Sequence, residues 1–211
     1  MTHERTSFLK SEKCIAWLGI GLTGLLLFLS FGPIGHPFVA LFALIPATLT
    51  SSQKISWKIW RQAAWGVSWI LWIGLLVWLR HVYPPLGYIG LILLTAYCAL
   101  YLFLWLIALR WIFPATEKTS LPVRLLYLIG LAGAWGLLEW VRSVFLTGFG
   151  WLPLSASQEG NPVLLSLCAW VGPYGLSALL VLINLGFASW IFRLKFTTES
   201  NLRTIKPLGW L

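Results

Sequence analysis

The run GYIGLILLTAYCALYLFLWLIAL, residues 87–109, decides the fold class. It carries no charged side chain, and a helix of this length spans a hydrocarbon core about 30 Å thick. The whole chain shares this character, because 59% of its 211 residues are hydrophobic and 10% are charged. That composition leaves too little polar surface to cover a water-soluble globule. The sequence therefore predicts an all-α, polytopic transmembrane helical bundle.

Further apolar runs on both sides of this one predict about six spans. We place the spans at 14–32, 37–50, 63–79, 87–112, 122–146 and 172–192. The second run is short and contains Pro46, so a tilted or re-entrant hairpin with the first run is an open alternative. A shorter apolar stretch at 162–171 ends at Gly172-Pro173, where a helix break is expected before the last span.

The chain divides into three parts. Residues 1–13 form an N-terminal tail, residues 14–193 form the transmembrane domain, and residues 194–211 form a basic C-terminal tail or the start of a truncated further span. Of the fifteen Lys and Arg residues, thirteen fall on one predicted side, and Arg80 and Arg142 fall on the other. Because cytoplasmic loops retain positive charge, both termini are expected to be cytoplasmic.

The residue types exclude several classes of function. The net charge of +9 comes from basic residues scattered singly through short loops, which favours contact with anionic lipid head groups and argues against a nucleic-acid partner. The chain has no Asp, so most metal, two-carboxylate and Ser-His-Asp sites are excluded. Cys14, Cys98 and Cys168 are widely separated and are interpreted as small buried hydrophobes. We expect no metal, no cofactor and no catalytic residue in this chain.

The segment GAWGLLEWVRSVFLTGFGWLPLSASQEGNP, residues 133–162, differs from the rest. Glu139 and Arg142 are three positions apart, hence on one helix face and within reach of an ion pair. A charge at membrane depth requires a partner or a polar cavity. A structural pair that locks this helix to its neighbour and a role in substrate handling are both open interpretations.

After that helix, residues 147–151 form a glycine-flanked aromatic turn on the side opposite the termini. Asn161-Pro162 is typical of an N-cap followed by a first-turn proline, which predicts a short new helix. Seven of the fifteen Trp residues, Trp78 and Trp151 among them, fall near span ends, where an indole prefers the membrane interface. For Trp151, a plain interfacial anchor and a substrate contact are both open.

These motifs resemble the apolipoprotein N-acyltransferase family. The family pattern is E-[FW]-[LV]-R-G-x-x-x-T-G-F-P-W, then Y-S-Q, P-L and G-V-Y-G-[LV]-S. The matching positions here are Glu139 to Arg142, Thr147 to Trp151, Ser157-Gln158, Pro162 and Gly172 to Ser177. Weaker agreement at 30–33, 65–66 and 96–101 extends the resemblance over roughly residues 15 to 193. The departures are Ser143 for Gly, Gly150 for Pro, Ala156 for Tyr and Pro173 for Val.

The resemblance implies a protein of lipoprotein biosynthesis in the bacterial inner membrane. Enzymes of this family carry a periplasmic nitrilase-like domain with a Glu-Lys-Cys triad, whose Cys passes an acyl chain from phospholipid to the amino group of a diacylglyceryl-cysteine. This chain of 211 residues has no room for that domain, so whether it is itself an acyltransferase is open. The implied partners are phospholipid and diacylglyceryl lipoprotein. A separately encoded nitrilase-like subunit, and a longer parent protein from which this chain is cut, are both open as the source of the catalytic domain.

Three functions from different classes follow from this sequence. The first is the membrane half of an acyltransferase, which presents phospholipid and lipoprotein for N-acylation. The second is a non-catalytic lipid- or lipoprotein-binding module, and the third is a small transporter, which the absence of an internal sequence repeat disfavours. Under the first, the candidate substrate- or lipid-binding residues are Trp151, Phe149, Arg142, Glu139 and Gln158.

Overall fold

The structure, a computed structural model, describes residues 2–31, 35–82, 86–116, 119–146 and 148–204, with side chains between 11 and 194. Its α-helices are α1 (Thr2–Leu29), α2 (Ile45–Ser51), α3 (Trp57–Leu76), α4 (Leu86–Thr116), α5 (Leu121–Val144), α6 (Pro162–Ser166) and α7 (Cys168–Thr204). Three 3-10 turns lie at Pro37–Leu41, Val77–His81 and Leu154–Gln158. Every regular element in the described residues is helical, which confirms the all-α prediction.

Five of these segments are long and apolar enough to cross a membrane. They are Ser11–Leu29, Trp57–His81, Leu86–Thr116, Leu121–Val144 and Cys168–Leu194. The predicted second span is the exception, because Pro37–Ser51 contains only a 3-10 turn and the short helix α2. The prediction of about six spans therefore becomes five long helices and one shorter apolar segment.

This shorter segment nevertheless passes through the whole depth of the bundle. Helices α1 and α3 run in the same direction, since Gly66 packs against Trp17 and, further along, Gly74 packs against Phe28. The chain between them must therefore return. On that return the Ala47 N–H donates to Thr23 Oγ1 (2.9 Å), and the Ser56 N–H then donates to Glu12 Oε2 (3.1 Å). The chain thus makes six passes, with the second one broken.

Side chains from neighbouring helices satisfy the backbone at the break. The Leu44 N–H donates to Asn184 Oδ1 (2.8 Å), and Asn184 Nδ2 donates to the Ala40 carbonyl (2.8 Å). Pro46 has no N–H and sits in the first turn of α2, where that donor would have no helical partner. Non-helical backbone at membrane depth persists only where protein surrounds and satisfies it. The fully buried Asn184 therefore makes the broken pass compatible with the bilayer.

The remaining helices alternate in direction. Trp60 and Trp69 of α3 donate to α4 at the Leu106 carbonyl and at Thr95 Oγ1, so α4 runs back beside α3. Trp105 of α4 donates to the Leu131 carbonyl of α5, and Tyr97 bonds the Arg142 carbonyl further along. Helix α7 then returns beside α5. Residues 11 and 194 consequently lie at the same end of the bundle.

The two ends of the bundle differ in charge. We call the end that holds residues 11, 56, 116 and 194 the basic end, and the opposite one the loop end. The basic residues of the basic end whose side chains the structure describes are Lys13, Lys54, Lys58, Arg61, Arg110, Arg124 and Arg193. Those of the loop end are Arg80 and Arg142. This agrees with the predicted division of charge; Lys118 and Lys206, placed with the basic end from the sequence, lie outside the described residues.

Arg110 lies near the basic end of α4, inside the predicted span 87–112. It belongs to α4, and its guanidinium donates to the carbonyls of Ser51, Gln53 (2.8 Å) and Ile55 (2.8 Å). The carbonyls at the end of α2 and in the turn after it have no N–H donor from a helix, so the Arg110 guanidinium donates to them instead. The second pass is thereby fixed at its basic end as well.

Candidate functional site

The chain between α5 and α6, residues 148–161, lies over the loop end, and two charged side chains of α5 hold it there. Arg142 Nη1 donates to the Trp151 carbonyl (2.9 Å) and Nη2 to the Leu152 carbonyl (3.5 Å). Glu139 Oε1 accepts from the Leu154 N–H (2.7 Å). Both side chains are buried. Three residues near the start of this loop, at positions 151, 152 and 154, are therefore tied to one helix by charge-assisted hydrogen bonds.

These bonds correct the expected direct ion pair. Glu139 uses its bonded oxygen for the Leu154 N–H and for Trp135 Nε1 (2.8 Å), while Arg142 directs its donors at loop carbonyls. The Arg142 guanidinium also lies over the Trp72 ring, 4.7 Å from its centroid. Glu139 and Arg142 share a helix face as predicted, but they interact through the loop that both of them hold.

Above this anchor, three aromatic rings form a stack. Trp151 lies between Trp78 (centroids 5.6 Å apart, planes 28° apart) and Phe149 (6.1 Å, 15°). Trp151 is 58% exposed and Trp78 is 43% exposed. We refer to these three residues as the aromatic stack. Trp78 is therefore not the isolated interfacial anchor that its position in the sequence suggested.

The backbone around the stack is strained. Leu146 and Leu152 have φ of 57° and 52°, a left-handed conformation that costs a non-glycine residue of order 1–3 kcal/mol. Gly148 has φ of 70°, and a Cβ there would lie 2.3 Å from the Ser143 carbonyl oxygen. The glycine of the predicted aromatic turn is thus required by its conformation. Thr147, named in the same motif, lies outside the described residues.

Gln158 is placed where it cannot contact lipid. It is fully buried, and its Nε2 donates to the Pro37 carbonyl (3.0 Å) and to Ser157 Oγ (2.9 Å). The far end of the 148–161 loop is thereby fixed to the start of the broken pass. The predicted N-cap is also present, since Asn161 Oδ1 accepts from the Leu164 N–H (3.3 Å). The expected break is present at Gly172, with φ of 70°.

Beneath the loop lies a cavity of about 50 Å³. Its polar lining comes from Glu139, Arg142, Cys98 and Tyr101, and its apolar lining includes Trp72, Trp105, Trp135, Leu152 and Leu154. Cys98 is buried, in agreement with its interpretation as a core residue, whereas Cys14 is exposed and Cys168 is half-buried. The described residues contain no cluster of three His, Cys, Asp or Glu side chains.

Comparison with known proteins identifies the fold and the loop together. Residues 23–186 match the family model of the apolipoprotein N-acyltransferase N-terminal domain. The chain belongs to this family. The match includes the broken pass, the cavity and the whole 148–161 loop, so the site described above is part of the apolipoprotein N-acyltransferase N-terminal domain. The chain is accordingly a multi-pass bacterial membrane protein of an acyltransferase family involved in lipoprotein biosynthesis.

Individual relatives agree with this assignment. The chain is 34% identical over 118 residues to an apolipoprotein N-acyltransferase of Nitrosomonas europaea. The aligned stretch covers 53% of this chain and 21% of the relative. A namesake from Rhodopirellula baltica is 25% identical over 197 residues, or 88% of this chain and 34% of the relative. One from Bordetella bronchiseptica is 35% identical over 102 residues, or 45% and 18%. The aligned part of this chain thus spans about a fifth to a third of these relatives.

Two residues of the site were noted in the sequence only within the weaker family agreement at 96–101 and not as candidate site residues. Tyr97 Oη bonds the Arg142 and Phe145 carbonyls (3.1 Å each), and Tyr101 Oη donates to Tyr97 Oη (3.0 Å). These tyrosines hold the end of α5 where the strained turn begins. A tyrosine pair at i and i+4 within the apolar run of α4 was the available signal, since a buried hydroxyl requires a polar partner.

Proposed function

We propose that this chain presents phospholipid and diacylglyceryl lipoprotein for N-acylation of the lipoprotein's terminal cysteine, with catalysis by a nitrilase-like domain that is separate from the described chain. One observation carries the proposal. The buried Glu139 and Arg142 hold the 148–161 loop over the bundle, and that loop carries the exposed Trp151 ring, which stacks on Trp78 at the loop end.

The aromatic stack suits a substrate that leaves the bilayer. An indole at the interface can cover an acyl chain with its ring and direct its N–H toward water or a head group. Trp78 comes from the end of α3, and Trp151 and Phe149 come from the loop. Rings from two parts of the chain thus form one apolar surface beside the membrane boundary. We assign Trp151 and Phe149 to contact with the lipid and Arg142, Glu139 and Gln158 to positioning the loop.

The same proposal places the protein in the inner membrane with its basic end in the cytoplasm, because cytoplasmic loops retain Lys and Arg. We expect a single cysteine at Glu159→Cys to react with an impermeant thiol reagent from the periplasmic side. A cysteine at Lys58→Cys should react only after the inner membrane is made permeable. Both variants need the native cysteines replaced, since Cys14 is exposed. The reverse labelling pattern would contradict this orientation.

The function itself is tested by complementation. Cells depleted of their own apolipoprotein N-acyltransferase would express this chain alone or together with a nitrilase-like domain, and lipoprotein N-termini would be analysed by mass spectrometry. We expect N-acylation with the pair and not with either part alone. If the pair does not acylate but photoreactive phospholipid still cross-links to the loop, the chain is a lipid-binding module rather than half of an enzyme.

Trp151→Ala should lower N-acylation, and phospholipid cross-linking to the loop, several-fold while leaving the amount of inserted protein unchanged. The reason is that the side chain is 58% exposed and contributes ring surface rather than core packing. Trp78→Ala should act in the same direction, because its ring stacks on Trp151. The matched control is Trp170→Ala, a tryptophan at the same end that is 87% exposed. Equal, mild effects of all three substitutions would show that Trp151 is only an anchor.

A further inference from the structure

The cavity beneath the 148–161 loop contains an unusual oxygen atom. Glu139 Oε1 accepts hydrogen bonds from Trp135 and Leu154, whereas the buried Oε2 has no partner in hydrogen-bonding geometry. The Ser177 hydroxyl neighbours this carboxylate and accepts from the Ser155 N–H (2.9 Å), and it is not a geometric partner of Oε2. A buried carboxylate oxygen without a partner is costly, and such atoms usually have an ordered water or ion.

The charges around Oε2 decide which ligand fits. Arg142 lines the same cavity, so the one negative charge of Glu139 is balanced by one positive charge. A cation would be repelled by the guanidinium and an anion by the carboxylate. A neutral molecule that both donates and accepts hydrogen bonds would satisfy Oε2 and face Arg142 and the Tyr101 hydroxyl without adding charge.

The size of the cavity decides between neutral ligands. A volume of about 50 Å³ is small for a lipid head group or an acyl chain. Water needs roughly 10–15 Å³ of such space and two to four polar partners. The cavity supplies those partners at Glu139, Arg142 and Tyr101. We propose that water molecules occupy this cavity and bridge Glu139 Oε2 to Arg142. This inference concerns the interior of the bundle and does not depend on the proposed acyl-transfer function.

Radiolytic hydroxyl-radical footprinting of the protein in lipid nanodiscs tests the proposal. Radicals formed from bound water oxidise the side chains that surround it. Trp105 lines the cavity and Trp60 does not, yet they are 1% and 0% exposed. Each donates its Nε1–H to a backbone carbonyl of a neighbouring helix. This makes Trp60 a matched control. We expect Trp105 to be oxidised several-fold faster than Trp60 in the unmodified protein, and equal rates would overturn the proposal.

A pair of substitutions adds a second measurement. Glu139→Gln keeps an oxygen that can bind water and accept from the loop, so oxidation of Trp105 should continue. Cys98→Leu leaves both loop anchors in place and fills part of the cavity that Cys98 lines, so the Trp105 rate should fall toward that of Trp60. If the leucine variant does not fold, the comparison within the unmodified protein still decides. Rapid Trp105 oxidation that persists in folded Cys98→Leu would overturn the proposal that water in this cavity is its source.

Discussion

Asn184→Leu is expected to lower the free energy of unfolding by about 2–6 kcal/mol, because it leaves two backbone groups of the broken pass without partners at about 1–3 kcal/mol each. These groups are the Leu44 N–H and the Ala40 carbonyl, both bonded to Asn184 at 2.8 Å. Neither group can form a replacement hydrogen bond with water inside a bilayer. Leucine is close to asparagine in size, so the loss comes from the hydrogen bonds rather than from a cavity. Unfolding in mixed micelles at increasing SDS would measure it.

Thr23→Val is the control for this experiment. It keeps the shape of the side chain and removes a single acceptor, that of the Ala47 N–H (2.9 Å). We expect a loss of about 1–3 kcal/mol, smaller than that of Asn184→Leu. If the two substitutions cost the same, Asn184 does not stabilise the broken pass in the way described. Protease cleavage within residues 37–51 gives a second readout. If Asn184→Leu changed only packing, cleavage there would stay the same as in the unmodified protein. We expect it to increase.

The broken pass shows how far the sequence could predict this fold. Its length and Pro46 indicated an irregular second pass, and the alternative of a re-entrant hairpin was open. The sequence could not decide between them, because the partners that satisfy the break come from residues 23 and 184, remote in the chain. Asn184 itself was a usable signal. It is an amide within an apolar span, and such a residue generally requires a protein partner.

The sequence predicted which residues belong to the site but not which contacts they make. Spacing put Glu139 and Arg142 on one face, and the glycine-flanked aromatic turn indicated a special loop. Spacing alone cannot show that both charges bond the backbone of a loop nine to fifteen residues later, since that geometry depends on the strained backbone at Leu146 and Leu152. The stacking of Trp78 on Trp151 joins two loops and was equally invisible in sequence.

Glu139 and Arg142 are expected to be energetically coupled through the loop that both of them hold, rather than through a direct ion pair. Arg142→Met should lower the free energy of unfolding by about 3–5 kcal/mol, because it leaves the Glu139 charge uncompensated in the cavity. It also removes the cation–π contact with Trp72, which is worth about 2 kcal/mol when desolvated. Glu139→Leu should cost about 3 kcal/mol, since it leaves the Leu154 N–H and Trp135 Nε1 without their acceptor. Glu139→Gln is the matched control and should cost about 1 kcal/mol.

The double variant Glu139→Leu/Arg142→Met should cost at least about 1 kcal/mol less than the sum of the two single losses. Two causes act in the same direction. The double variant buries no unpaired charge, and once either anchor is lost the 148–161 loop can leave the bundle, so the second loss removes less. SDS unfolding would give the free energies, and limited proteolysis within the loop would report its release, which should already be large in each single variant. Additive free energies, with the loop protected in both single variants, would mean that Glu139 and Arg142 stabilise the bundle independently and that other contacts, such as Gln158 with Pro37, hold the loop.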